Sequence, residues 1–283
     1  MEEAVVNERE KHHAERLVKD EVHIKPAWFK HNTLFTLFLN ASSVGIPDAE
    51  RFIISTVTEY ANTAKQDALK ESIQTLIHEE SAHSRVHDAY NNYLRSVGFR
   101  IDDILRREKK LTDFLLKHFS LKTRLAFCAI TEHFTAIMAK QILDTGILEG
   151  EDIDERMDRV WTWHALEELD HRATAFDLYL AAGGGYVRRV LAGLLSSALF
   201  LYMQQTCFFS LMSQKNALFN LQVWKRGMPF LFGTKGIYRH LFTDWLRFFK
   251  PGFHPSSLSI RNALKKQLHH YHIESELISY FKT

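Results

Sequence analysis

The sequence predicts an all-α fold, a four-helix bundle that is extended by additional apolar helices at its C-terminal end. Helix breakers are few, because the 283 residues include only 5 Pro and 12 Gly. Cap and stop residues divide the chain into long helical segments. A short motif, Glu-Glu-x-x-His, occurs twice at sites that two paired helices would bring together. These three observations favour a bundle built around a buried polar site.

Composition excludes several classes of protein. A formal net charge of +2 is close to balance, which argues against a nucleic-acid partner. The two cysteines, Cys128 and Cys207, form no disulfide framework and suit a reducing compartment. The N-terminal residues are too polar for a signal peptide, so we expect a cytoplasmic protein. No phosphate-binding loop, nucleophile elbow or dinucleotide fingerprint is present in the sequence.

The first segment, residues 1–45, predicts a charged N-terminal helix and an apolar packed stretch that ends at Gly45. The Ile-Pro-Asp sequence at 46–48 is typical of a helix start and opens the first bundle helix, which reaches about residue 64. Asp67 is the expected N-cap of the second helix, and Gly98 is its expected stop.

The next segment completes a bundle over residues 46–185. Residues 99–119 are a charged connection that we expect to include a short helix across the end of the bundle. Ser120 caps the third helix and Gly146 stops it. The fourth helix follows and runs to the three glycines at 183–185. Two helical hairpins joined by a longer connection match bundles with one long crossover.

The remaining residues, 186–283, predict apolar and aromatic helices that pack on the bundle, and we expect a single domain overall. Breaks are expected at residues 227–229 and at Gly233, and a last helix is expected from about residue 260 to 281. Polar residues interrupt the apolar stretch 190–212, and a spanning helix needs about 20 apolar residues, so a buried or interfacial helix is favoured over a span. Residues 186–250 could line a tunnel for a lipid-like substrate, contact a membrane surface, or simply pack. The basic residues available for membrane contact are Arg188, Arg189, Lys215, Lys225 and Arg226.

Glu-x-x-His on a helix places both side chains on one face, but chance supplies roughly one such motif in a chain of this composition. Three occur. Glu10 with His13 lies in a polar stretch and reads as a solvated pair. The other two are Glu80 with His83 and Glu168 with His171, each preceded by a second Glu.

The positions of these motifs give the signal its specificity. In an antiparallel hairpin, residues at one level lie equally far from the turn. Glu50 lies 15 residues before position 65 and Glu80 lies 15 after it, while Glu132 lies 17 before position 149 and Glu168 lies 19 after it. Each hairpin therefore pairs a lone Glu with a Glu-x-x-His, as dinuclear carboxylate bundles do. Glu59 would sit about 13 Å along the axis, too far to share the site.

The chemistry of this donor set indicates two metal ions. Carboxylates with a few imidazoles suit iron, which is favoured here, or manganese, with zinc as a further option. Four carboxylates also balance two divalent ions, which makes burial tolerable. The competing interpretation is surface glutamates and ordinary core histidines, but Glu132 lies in an apolar stretch where a carboxylate needs a partner. The expected ligands are Glu50, Glu80, His83, Glu132, Glu168 and His171.

Further polar residues share these helix faces. His87 and His164 are each one turn from a predicted ligand, so either could be a ligand or a hydrogen-bond partner of one. Asp177 lies further along and could orient an imidazole, although a solvated or packing role is favoured for it. Glu79 and Glu167 lie about 100° round the helices, so we expect them to be exposed or salt-bridged.

At these residues the sequence resembles a ferritin-like family of predicted metal-dependent hydrolases. The matching pieces, spread from about residue 25 to 260, are IPDAERF, HEESAHSRVHDAYN, TEHFTA, WHALEELDHRATAFD and FKPGFHP. The resemblance implies a dinuclear metal bundle with the six ligands named above, and with His87 and His164 as further candidates.

Three functions remain open at this stage. The favoured one is a non-haem di-iron oxidase or oxygenase that activates O2 on a small apolar, lipid-like substrate, by analogy with the site class. A metal-dependent hydrolase with a metal-bound hydroxide as nucleophile is the alternative. A non-catalytic iron-binding bundle is the third. A homodimer and a membrane-associated cytoplasmic protein are both compatible with the sequence.

Overall fold

In a computed structural model, which describes residues 24–63, 69–259 and 274–281, the chain is all-helical, as the sequence predicts. Helices of the first half are α1 Thr33–Thr63, α2 Lys70–Ser96, α3 Asp102–His118, α4 Leu121–Thr145, α5 Glu155–Asp170 and α6 Thr174–Ala181. Helices of the second half are α7 Tyr186–Gln214, α8 Leu221–Phe232, α9 Leu241–Arg247 and α10 Glu274–Ser279. A single 3₁₀ turn, Pro255–Ser257, follows α9 in the described part of the chain.

Helix α1 begins at Thr33, so the predicted helix start at Ile46 was wrong. Pro47 lies inside the helix, where its missing N–H leaves the carbonyl of Ser43 without its usual helical partner. Asn91 of α2 supplies a replacement, because its Nδ2 donates to Ser43 O at 3.5 Å. A side chain from the neighbouring helix thus allows α1 to continue, and the segment boundary drawn between residues 45 and 46 falls inside a helix.

Helices α1 and α2 pack along each other, and α4 packs against α5, α6 and α7. The predicted caps of α4 are confirmed: Ser120 accepts a hydrogen bond from the Thr123 N–H, and Gly146 takes the left-handed conformation. Gly98, with a φ of 90°, follows the end of α2 as expected. Asp67, the predicted N-cap of α2, lies outside the described residues.

The predicted fourth helix is not continuous. It ends at Asp170, and His171 adopts a non-helical conformation (φ −95°, ψ 8°) before α6 begins at Thr174. The expected helix in the 99–119 connection is α3, a 17-residue helix that packs on α1.

The second half of the chain wraps the bundle. Helix α7 packs on both α1 and α4, α8 packs on α1, and α9 packs on α4. Helix α8 continues through Gly227 and Pro229, where we expected a break, and stops at Gly233. Gly227 allows the close approach, because a Cβ there would lie 2.4 Å from Leu34 Cβ of α1. The last helix is described only at 274–279, so most of the predicted helix 260–281 lies outside the described residues.

Helix α7 is long and apolar enough to cross a membrane by length and composition, but only 22% of its most apolar window is buried inside the molecule. At about 100° per residue, all of its exposed large apolar side chains except Tyr186 fall on one face. These are Val187, Leu191, Leu194, Leu195, Leu201, Tyr202 and Phe209. The opposite face lies against the bundle. The division of the chain into three segments stays a prediction.

Candidate metal centre

The bundle gathers the six predicted ligands into its interior. Glu50 comes from α1, Glu80 and His83 from α2, Glu132 from α4, and Glu168 from α5, while His171 follows the end of α5. None of the six is more than 4% exposed. Buried carboxylates are costly unless they are paired or bind a cation, so this concentration requires a compensating charge.

Two groups of side chains in the described residues could each hold a metal ion, with donor atoms within 4.8 Å of one another. The first group is Glu50, His83, His164 and Glu168, and the second is Glu80, His83, Glu168 and His171. The groups share His83 and Glu168. Their overlap is the arrangement expected of two neighbouring metal positions, which is consistent with a dinuclear site.

Glu132 belongs to neither group but lies against the second. Its Oε2 accepts a hydrogen bond from His171 Nδ1 at 2.8 Å, while His171 Nε2 lies 3.3 Å from Glu80 Oε1. His83 Nδ1 faces three carboxylates, with Glu50 Oε1 at 3.5 Å, Glu168 Oε1 at 3.7 Å and Glu80 Oε2 at 3.9 Å. His171 and His83 thus each lie among several carboxylates of the cluster.

The donor set fits metal ions, because each of five ligands keeps a buried atom without a hydrogen-bond partner among the described residues. These atoms are Glu80 Oε1, His83 Nδ1, Glu132 Oε1, Glu168 Oε2 and His171 Nε2. Buried polar atoms are normally satisfied, so five in one cluster point to a ligand that uses them together.

The charges of the cluster lead to the same conclusion. Burial, and then repulsion from the Glu80 carboxylate, raises the pKa of Glu132 to about 7 and that of Glu168 to about 8. Burial also raises the pKa of Glu50 well above its ordinary value, with Glu80 adding to the effect. Carboxylates that resist ionisation side by side are stabilised by cations placed between them.

We expected Glu167 to be exposed or salt-bridged. In the structure it orients a predicted ligand, His83. His83 Nε2 donates to Glu167 Oε2 at 2.9 Å, and Trp163 Nε1 donates to Glu167 Oε1 at 2.8 Å. A hydrogen bond on one ring nitrogen fixes the tautomer that offers the other nitrogen, here Nδ1, to a metal. The signal in the sequence was the first Glu of the repeated Glu-Glu-x-x-His.

The equivalent residue in the other repeat, Glu79, behaves differently. Burial is the main cause that raises its pKa to about 6, and its Oε2 has no hydrogen-bond partner among the described residues. His171 instead bonds Glu132. The two Glu-Glu-x-x-His motifs are therefore alike in sequence, but the first Glu orients a predicted histidine ligand in only one of them.

The three further candidates have different surroundings. His164 joins the first group, with Nε2 at 3.3 Å from Glu168 Oε1. His87 lies behind it, where its Nδ1 shares a hydrogen bond of 2.9 Å with Ser43 Oγ, and burial lowers its pKa to about 3. The structure places Asp177 with His254, whose Nε2 lies 2.8 Å from Asp177 Oδ1.

Glu59, which the level argument excluded, pairs with Arg124 at 2.7 Å. Glu59 is nine residues from Glu50 on α1, about 13 Å along the axis at 1.5 Å per residue, so this pair lies outside the cluster.

A cavity of about 200 Å³ opens beside the cluster and is lined by α1 to α5 and by α7. Its wall is mainly apolar, and the larger side chains include Phe52, Ile53, Leu115, Phe127, Leu199 and Phe200. At one end the lining becomes polar, with Glu50, Glu80, Glu132, His164 and Glu168. An apolar ligand in this cavity would lie next to the candidate metal positions.

Comparison with known proteins gives one match. A family model described as predicted metal-dependent hydrolase covers residues 14–258, and no curated protein and no solved structure matches the chain. The matched span includes every candidate ligand and well over half of the chain. It confirms the resemblance that the sequence motifs indicate. The chain belongs to the family of predicted metal-dependent hydrolases.

Proposed function

We propose that the protein is a metal-dependent hydrolase for an apolar, lipid-like substrate, with the scissile group placed at the polar end of the cavity. The observation that carries the proposal is the contact between an apolar cavity and a buried carboxylate and histidine cluster. Pockets of this kind bind the apolar body of a ligand and use a few polar groups to orient its reactive part. The family description supports hydrolysis over other metal chemistry.

The six clustered side chains would hold two metal ions, which in hydrolases activate water and polarise the bond to be cleaved. The protein's own contribution is orientation. Glu167 holds the His83 ring, and Glu132 holds the His171 ring, through the hydrogen bonds described above. The apolar wall excludes bulk water from the rest of the substrate.

His164 adds a neutral hydrogen-bonding group to this end of the cavity. Burial, followed by the nearby His83, lowers its pKa well below the ordinary value, so the ring is neutral. Its Nε2 lies 3.3 Å from Glu168 Oε1, and its Nδ1 has no hydrogen-bond partner among the described residues. That atom can accept a hydrogen bond from a water or from a substrate hydroxyl.

Oxidation of the same substrate is a second candidate, favoured by the donor set. Four carboxylates and two or three imidazoles resemble the ligands of ferritin-like di-iron proteins, which commonly carry out oxidation. An apolar cavity suits that chemistry as well. Iron, manganese and zinc all remain compatible with the ligands, as does a bundle that binds iron without catalysis.

The deciding experiment measures metal content and turnover together. The purified protein is analysed for metal identity and stoichiometry, then loaded anaerobically with zinc, manganese or ferrous iron. Cleavage of medium-chain acyl esters that is equal with and without oxygen supports hydrolysis. Substrate turnover that requires ferrous iron and consumes oxygen would replace hydrolysis by oxidation.

A matched set of variants tests the ligands. Glu132→Ala and Glu168→Ala should each lower bound metal from two ions per chain, because each removes a buried carboxylate from the cluster. Glu151→Ala, at an exposed position in the loop before α5, should leave metal binding unchanged. Two full equivalents retained in both cluster variants would refute the assignment.

We also propose that the exposed face of α7, with α8 and α9, contacts an anionic membrane surface. Phe219 is 92% exposed and Leu221 is 82% exposed, and they extend the apolar face of α7 toward α8. Residues 186–250 contain nine Lys and Arg against one Asp, in a chain whose net charge is only +2. Exposed apolar residues among basic ones are typical of interfacial binding to anionic lipids.

One predicted basic contact does not fit this surface. Arg189 is buried and donates to Lys250 O at 2.6 Å and to Phe253 O at 3.3 Å, so it supports the fold instead. Arg188, Lys215, Lys225 and Arg226 are exposed.

Co-sedimentation with vesicles tests the membrane contact. Binding should be stronger to vesicles with phosphatidylserine than to pure phosphatidylcholine, and Leu191→Ser with Tyr202→Ser should weaken it. Phe114→Ser removes an apolar side chain from α3 that is more than half exposed, and it should not weaken binding. Equal sedimentation of the protein and both variants, or a dimer that the α7 substitutions dissociate, would overturn the proposal.

A further inference from the structure

The cavity wall has a second polar feature, which lies outside the cluster. Glu108 of α3 is only 7% exposed and lines the same cavity as the apolar residues. Its Oε2 has no hydrogen-bond partner among the described residues. A carboxyl group in such a place is expected to have a partner that uses it.

The polar groups near Glu108 are already engaged with others. The charged groups that act on Glu108 are Arg107 and Asp48. Arg107 Nε donates to Asp103 O at 3.3 Å, and Asp48 Oδ1 accepts from Arg51 Nη1 at 2.9 Å. These side chains are therefore not the missing partner of Glu108. The cavity itself is the space from which a partner can approach.

The position of Glu108 along the cavity can be placed from α1. A Cβ added to Gly45 would lie 3.4 Å from Glu108 Oε1, so the carboxyl group sits at the level of Gly45. Glu50, a candidate ligand, is five residues further along the same helix, about 7.5 Å at 1.5 Å per residue. A ligand of about six carbons could reach from one polar end of the cavity to the other.

We infer that Glu108 is a substrate-binding residue that hydrogen-bonds a hydroxyl group at the far end of an apolar chain whose other end lies at the metal centre. The inference rests on the proposed function, because it takes the cavity as the substrate site. It adds a substrate class, an ω-hydroxylated or similarly polar-ended acyl chain, to a cavity that otherwise selects only for apolar character.

The chemistry of the carboxyl group favours a neutral partner. Burial is the main cause that raises the pKa of Glu108 to about 8, so the group is mostly protonated at neutral pH. A protonated carboxyl donates one hydrogen bond and accepts another, and a hydroxyl group complements both. A cationic amine would require a buried ion pair within an apolar wall, at a desolvation cost to both charges.

Binding of three matched probes to the metal-loaded protein tests the inference by calorimetry. The probes are hexanoate, 6-hydroxyhexanoate and 6-aminohexanoate. One satisfied buried hydrogen bond should make 6-hydroxyhexanoate bind roughly 5- to 10-fold more tightly than hexanoate. Glu108→Gln, which keeps the shape and a neutral hydrogen-bonding group, should retain the preference, and Glu108→Leu should abolish it.

Each other outcome overturns the inference. Equal binding of hexanoate and 6-hydroxyhexanoate, tighter binding of 6-aminohexanoate, a preference unchanged in Glu108→Leu, or no binding of any probe would do so. Because the readout is binding, the hydroxyl preference can hold in a protein that cleaves no ester. That result would refute hydrolysis and leave the role of Glu108 standing.

Discussion

Replacing Glu108 with Gln should stabilise the protein, and the gain should grow with pH. The pKa of Glu108 is about 8 in the folded protein and 4.5 as the ordinary value, so the folded state keeps a proton that the unfolded state releases. Stability from this group is therefore fully present below pH 4.5 and is lost as pH rises toward 8. At pH 7 the loss amounts to about 3 kcal/mol, worked from the pKa difference at 1.36 kcal/mol per unit.

The assay is urea denaturation of the metal-loaded protein and of Glu108→Gln at pH 5, 6, 7 and 8. The difference in unfolding free energy between the two proteins should rise from about 1 kcal/mol at pH 5 to about 4 kcal/mol at pH 8, because other titrating groups cancel in the comparison. Glu151→Gln, at an exposed glutamate, is the control and should show no such rise. A constant difference across the range would mean that Glu108 is ionised when folded, and the burial argument would fail.

Two further predictions concern particular contacts. Glu167→Gln should lower metal affinity by about 10-fold or more, because it weakens the hydrogen bond that orients His83, and Glu79→Gln should have a smaller effect in the same metal titration. Gly227→Ala should destabilise the protein by about 1–3 kcal/mol in thermal or urea unfolding, because its Cβ would meet Leu34. Gly185→Ala, with no atom within 4 Å of the added Cβ, should be tolerated, and equal unfolding of the two alanine variants would contradict the close approach of α8 to α1.

The site was the most predictable part of the molecule. Counting residues from the turns placed Glu50 level with Glu80 and Glu132 level with Glu168, and the structure brings all four into the interior. This works because the rise of a helix is constant, so distance along a hairpin can be read from sequence numbers. Whether these side chains bind metal stays a prediction.

Predictions based on helix breakers were less reliable. Pro47 was read as a helix start, but Asn91 satisfies the carbonyl that the proline leaves free, and the helix continues. Pro229 and Gly227 likewise lie inside α8. Such compensation depends on a neighbouring helix, which local propensity does not describe. Conversely, the end of α5 at Asp170 carries no Gly or Pro signal at that point.

The role of Glu167 was missed for a related reason. Its position 100° from the ligand face suggested an outward side chain, yet it reaches the far nitrogen of His83 on another helix. A face that points away from one pair of ligands can point toward another helix of the same bundle. The repetition of the double Glu was the one clue in the sequence to this second layer of contacts.

The break in the chain at His171 makes the two halves of the centre unequal. His83 belongs to an unbroken helix and is held by Glu167, whereas His171 belongs to the turn between α5 and α6. A ligand fixed in advance gives up less freedom when an ion arrives. We therefore expect loading in two steps, with the group that lacks His171 filled first. In a cell where metal is scarce, such a protein would rest with a single ion, and its activity would follow the supply of the second.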